Sequence, residues 1–97
     1  MNAAVTDARQ VIAALSGLKH DLRLAVYRGL VQAGNTGMTP GSLSRQFGIP
    51  PSSLSFHLKE MCYAKLIVAV QEGRSINYSV NRATMMSVIA YLTENCC

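Results

Sequence analysis

Apolar positions along the chain recur at helical spacing in five places and at alternate spacing in one. Val5, Val11, Ile12, Leu15 and Leu18 lie near a 3.6-residue period, and the segment they define ends around Gly17 to Lys19. Leu22, Val26, Tyr27, Leu30 and Val31 repeat more regularly, and Gly34-Asn35 closes that second helix. Thr39-Pro40 opens a third, with threonine as the N-cap and proline at the first helical position, where a missing N–H costs nothing. Leu43 and Phe47 form its buried stripe before Gly48-Ile49-Pro50 breaks it. Pro51 restarts the helical pattern at once, and Leu54, His57, Leu58 and Met61 share one face of the fourth helix. A stop followed so soon by a start predicts a helix-turn-helix over Thr39 to Tyr63. Leu66 to Val70 then favours a strand, Glu72-Gly73-Arg74-Ser75 a turn, and Ile76, Tyr78 and Val80 alternate with Asn77 and Ser79, which together predict a two-stranded hairpin. Asn81 is placed to cap a last helix carrying Met85, Val88, Ile89 and Leu92. The expected architecture is mainly α with a small β-hairpin, ordered α-α-α-α-β-β-α, a winged helix-turn-helix.

Composition narrows the class. A chain of 97 residues suits one modest core, so residues 1–97 are expected to form a single domain. Hydrophobic residues reach 49%, rich for this length, so part of the apolar surface is expected to find its partner in a second copy. Nine Lys and Arg against five Asp and Glu leave a net charge of +4, a mild bias toward a polyanion. Three cysteines, two of them adjacent at the end, do not form the framework of a small secreted domain, and a reducing cytoplasm is expected. No signal-peptide pattern is present, and no apolar run approaches the roughly 20 residues of a membrane span. The absence of a Gly-rich phosphate loop and of a nucleophile motif argues against an enzyme. His57, among Leu54, Leu58 and Met61, is expected to be a core or interface histidine satisfied by hydrogen bonds.

The outward face of the fourth helix points to double-stranded DNA. Ser52, Ser53, Ser55, Phe56 and Lys59 fall on or near that face, small and polar toward the N-terminus. Short side chains let a helix approach base edges in the major groove, and its free N–H groups and positive dipole end suit a phosphate. Lys59 and Arg45 are candidate phosphate contacts. Arg74, at the hairpin tip, is placed to reach an adjacent groove or backbone, with Asn77 assisting, while the carboxylate of Glu72 opposes a purely electrostatic wing.

Residues from about Leu15 to Leu92 resemble the ArsR/SmtB family of metal-responsive bacterial repressors. HDLRLAVYRGL resembles the family's second helix, with Arg23-Leu24, and SSLSFHLKEMCYAKLI its recognition helix, with Ser55, His57-Leu58-Lys59 and Ala64-Lys65-Leu66-Ile67. EGRSINYSV resembles its wing. The resemblance implies a homodimer joined through the first and last helices, bound to a pseudo-palindromic operator and released by an inducer. Phe56 departs from the pattern, standing where the family often carries a basic or polar residue. An apolar ring there either touches thymine methyls or is buried against a neighbouring helix. The family's Cys-Val-Cys inducer motif would fall within Thr39 to Gly48, where this chain has no cysteine, and the last helix lacks the Asp and His ligands of its zinc sensors.

Cys96-Cys97, directly after Glu94-Asn95, resembles the helix end of some arsenic-responsive members, which place a further cysteine shortly beyond. Soft thiolates suit arsenite, As(III), or antimonite, Sb(III), which take three sulfurs in a trigonal pyramid. The third sulfur is expected from Cys62, from an exogenous thiol or second protomer, or from a chain continuing past Cys97. The alternative is a winged-helix protein-interaction or dimerisation module without metal sensing.

Overall fold

The computed structural model describes residues 7–94, and four of its five helices begin on a side chain that accepts an amide hydrogen bond. Asp7 accepts from the Gln10 N–H at 2.9 Å to start α1 (Ala8–Gly17), and His20 Nδ1 accepts from Leu22 at 3.1 Å to start α2 (Asp21–Ala33). Thr39 accepts from Ser42 at 3.2 Å ahead of α3 (Pro40–Phe47), and Asn81 accepts from Thr84 at 3.4 Å ahead of α5 (Arg82–Thr93). Such a cap is worth about 1 kcal/mol. The exception is α4 (Pro51–Tyr63), which follows Pro50 and has no side-chain cap. Between α4 and α5 lie β1 (Ile67–Glu72) and β2 (Ser75–Val80), and a single 3-10 turn, Gly34–Thr36, follows α2. The order is the one the periodicity predicts.

The core gathers one side of every helix. Val26, Leu30, Leu43, Leu54, Leu58 and Met61 are buried, joined by Leu66 and Ile67 at the base of the hairpin and Val88 from α5. Ile49, in the turn between α3 and α4, is buried as well, and Ser44 Oγ donates to its carbonyl at 2.6 Å, so the helix-turn-helix angle is fixed from inside and from its flank. Two expected stripes divide. In α1, Val11 and Ala14 are buried but Ile12 and Leu15 are exposed, and in α5 Val88 is buried but Ile89 and Leu92 are exposed. Both helices carry apolar residues over an arc wider than one core contact covers, and the excess faces outward. Val5 lies outside the described residues.

The hairpin is antiparallel with Glu72 opposite Ser75 and Ile67 opposite Val80, so Gly73-Arg74 are the central pair of the four-residue turn expected from sequence. Gly73 takes φ +63° and Arg74 stays at negative φ, the sign pattern of a type II′ turn with glycine at its first central position. A contact invisible to periodicity ties this wing to the helices. Met38 pairs with Tyr78 on the free edge of β2, the Met38 N–H donating at 2.9 Å and the Tyr78 N–H at 2.8 Å. Gly37 makes this approach possible, since a Cβ there would overlap both Asn77 and the Tyr78 carbonyl.

At its other end α4 closes with Lys65 in the left-handed region at φ +65°. The Leu66 N–H donates to the Met61 carbonyl and the Lys65 N–H to that of Cys62, a Schellman motif with lysine in glycine's usual place.

Candidate nucleic-acid interface

The exposed face of α4 follows from its buried one. With Leu54, Leu58 and Met61 packed inward, 100° per residue puts Ser52, Phe56, Lys59 and Tyr63 along the middle of the opposite side, flanked by Ser53 and Ser55. All six are exposed, so the five α4 residues expected at a DNA surface share one open face. Tyr63, 87% exposed, extends that line by one turn and was absent from the expectation, although the Ser52, Phe56, Lys59 spacing leads directly to it. At the N-terminal end the amides of Ser52 and Ser53 have no capping side chain, so the positive end of the helix dipole is open.

Arg45 and Ser55 both line a cleft of about 310 Å³ between α3, α4 and β2, together with Leu58 and Tyr78. Arg45 is exposed and makes only a long 3.5 Å contact to Ser42 Oγ. Arg74 projects from the second position of the wing turn, fully available. Asn77 lies differently: it is half-buried, and its Nδ2 donates to the Thr36 carbonyl at 2.7 Å. Its amide fastens the wing to the segment after α2, away from the tip that carries Arg74.

His57 leaves the core side of α4 toward α2, where its Nδ1 accepts from Arg23 Nε at 3.0 Å. Its ring lies 4.7 Å from that of His20 and 5.8 Å, edge to face, from that of Phe56. Burial, the Arg23 guanidinium and His20 together hold His57 below the usual histidine value, so it stays the neutral acceptor Arg23 requires. The expectation of a hydrogen-bonded structural histidine holds. Arg23, which no motif marked as part of the interface, braces two consecutive residues of the recognition helix: its guanidinium also lies 5.8 Å from the Phe56 ring centroid.

The cysteines separate. Cys62 is half-buried on α4 against the core, and desolvation pushes its thiol above the ordinary value. Cys96 and Cys97 lie outside the described residues. Among the described residues no three His, Cys, Asp or Glu side chains gather as a metal site, and no helix is long and apolar enough to cross a membrane.

A helix-turn-helix with an open polar recognition face and a basic wing tip defines a winged helix-turn-helix of the DNA-binding regulator class. A family model described as a helix-turn-helix domain matches residues 18–69. The transcriptional regulator YgaV of Escherichia coli strain K12 is 31% identical over 91 residues, covering 94% of this chain and 90% of that protein. An ArsR-like transcriptional regulator from Rhodococcus sp. RHA1 superposes with a TM-score of 0.77 at 20% identity, over 90% of this chain and 78% of that one. The homodimeric winged helix-turn-helix DNA-binding domain of a possible ArsR-family regulator from Mycobacterium bovis gives 0.71 at 18% identity, over 97% and 92%. The chain belongs to the ArsR family of helix-turn-helix transcriptional regulators.

Proposed function

We propose that the protein is a homodimeric repressor whose paired α4 helices occupy successive major grooves of a pseudo-palindromic operator. The observation that carries this reading is the undivided open face of α4, with uncapped amides at Ser52 and Ser53, Lys59 on it and Arg45 lining the same cleft as Ser55, while Arg74 stands exposed at the wing tip. Hydroxyls approach base edges, the helix terminus and cations hold phosphates, and the wing reaches the flanking backbone. Dimerisation through α1 and α5 is supported by their outward apolar residues. Met86 is 66% exposed and Ile12 63%, and Ile89 and Leu92 continue the α5 surface. The homodimeric M. bovis neighbour is consistent with that assembly.

The inducer in this reading is arsenite or antimonite, held by Cys96 and Cys97 with a third sulfur from a partner protomer or a small thiol. Cys62, half-buried against the core, is the remaining candidate for that sulfur among the described residues. Binding at the end of α5 would act on the dimer geometry, and a coupling of about 1 to 3 kcal/mol lowers operator affinity roughly 5- to 150-fold. The test is a titration of the reduced full chain on its own upstream DNA, with arsenite, antimonite, zinc and cadmium in turn. Ser53→Glu is expected to abolish binding, and Cys96→Ser with Cys97→Ser to keep binding but lose arsenite release. Unchanged release in that double variant removes the thiol reading, release by zinc but not arsenite replaces the inducer, and no salt-sensitive duplex binding leaves a protein-docking module.

A further inference from the structure

We infer that Phe56 is a specificity-determining residue of the recognition helix, reading the 5-methyl group of one thymine in each operator half-site. The inference rests on the operator-binding role proposed for α4 and adds which base that helix selects.

Phe56 is 58% exposed, at the centre of the open face between Ser52 and Lys59. Among Ser52, Ser53, Ser55 and Lys59 on that face, with the half-buried Glu60 at its flank, the phenyl ring is the one large apolar group offered by the first two and a half turns. Exposure usually leaves a side chain free to sample rotamers, but this ring has two partners. The Arg23 guanidinium lies 5.8 Å from its centroid, and His57 meets it edge to face at 5.8 Å. His57 is itself fixed by the 3.0 Å bond from Arg23 Nε, so a single residue of α2 steadies both the ring and its neighbour. A ring ordered before contact loses little further entropy on binding.

The major groove displays hydrogen-bonding edges for every base pair and one apolar group, the thymine methyl. A phenyl ring set against guanine, cytosine or adenine edges strips water from polar atoms and returns no hydrogen bond. Against thymine it covers a methyl instead. Burying one such carbon is worth about 0.8 kcal/mol, close to fourfold in affinity, and the two half-sites of a dimer together give about fifteenfold.

In the test the full chain selects its preferred duplex from a random-sequence library, and each thymine of the selected duplex is then replaced singly by uracil, which removes the methyl and nothing else. One position per half-site is expected to weaken wild-type binding about fourfold while leaving Phe56→Ala unaffected, with Phe56→Leu keeping part of the sensitivity. Tight binding that tolerates uracil everywhere, equal sensitivity in wild type and Phe56→Ala, or a consensus without thymine overturns the inference and leaves operator binding standing. Failure to select any duplex overturns the operator reading and this inference with it.

Discussion

Replacing Arg74 with alanine isolates the wing's electrostatic share of operator binding. Arg74 is the second residue of a two-residue turn, at negative φ, and its side chain has no hydrogen-bond partner among the described residues, so the change leaves the hairpin intact. Three exposed cations are the candidate phosphate contacts of one protomer, Arg45, Lys59 and Arg74, hence about six in the proposed dimer. Each phosphate neutralised contributes about −0.9 to the slope of log affinity against log salt, so the wild-type slope should be roughly −5. Raising salt from about 50 to about 200 mM should then weaken binding on the order of 10³-fold. Arg74→Ala removes two contacts per dimer, taking the slope to roughly −3.6 and the loss over the same range to on the order of 10²-fold. Arg74→Lys keeps the charge and should keep the slope. Fluorescence anisotropy of a labelled operator duplex across a salt series measures all three. An Arg74→Ala slope equal to the wild type's would show that the wing tip neutralises no phosphate, and a wild-type slope near −1 would dismiss the whole arrangement of cations.

Two further outcomes follow from particular contacts. Thr84 is fully buried and its Oγ1 has no hydrogen-bond partner among the described residues, so Thr84→Val, which exchanges that hydroxyl for a methyl of similar size, should raise stability by about 1 to 2 kcal/mol in urea unfolding. A loss of stability there would mean that the hydroxyl is satisfied in solution. His57 titrates below the ordinary histidine value because burial, Arg23 and His20 disfavour its charged form. The folded state therefore prefers the neutral ring, and the stabilisation is complete above about pH 6.5 and is lost as pH falls below it through the folded value. An NMR titration of the ring proton should give a midpoint below about 6.5 that rises in Arg23→Gln, and a wild-type midpoint at or above that value contradicts the contact.

Helix order, the caps at Thr39 and Asn81 and the recognition face were legible because each rests on local chemistry: a hydroxyl or amide before an apolar period, proline at a first turn, a polar arc opposite Leu54, Leu58 and Met61. The parts that sequence did not reveal depend on pairs distant along the chain. The bridge from Met38 to Tyr78 and the bond from Asn77 to Thr36 join segments some 40 residues apart, and nothing in either segment alone advertises the other. Asn77 illustrates the limit well. At a wing position an asparagine looks like a DNA contact, and only the approach of Gly37 shows that its amide already has a partner. The cap of α2 is similar, because a histidine accepting through Nδ1 is not among the residue types that usually signal a helix start. How the apolar stripes of α1 and α5 divide between the core and the outside was not legible, because periodicity reports which residues share a face and says nothing of what covers it.

Those stripes bear on how an inducer could reach the operator. The last residue of α1, Gly17, is packed so closely against the far end of α4 that a Cβ there would come within 2.7 Å of Leu66 Cδ1 and 2.8 Å of Ala64 Cβ. Five residues earlier α1 presents Ile12 to solvent, on the surface proposed to meet a second copy. A helix that touches both the dimer surface and the end of the recognition unit, with no slack at the second contact, cannot tilt without carrying α4 along. Arg23 reinforces the linkage from α2, holding Phe56 and His57 from the side. Close-packed interiors pass a displacement on as rigid-body motion. In the proposed dimer joined through α1 and α5, an inducer bound at the end of α5 would therefore have one economical route to release: to change the separation of the two α4 helices while leaving each intact. Successive major grooves recur about every 34 Å, so a modest change in that separation mismatches both half-sites together.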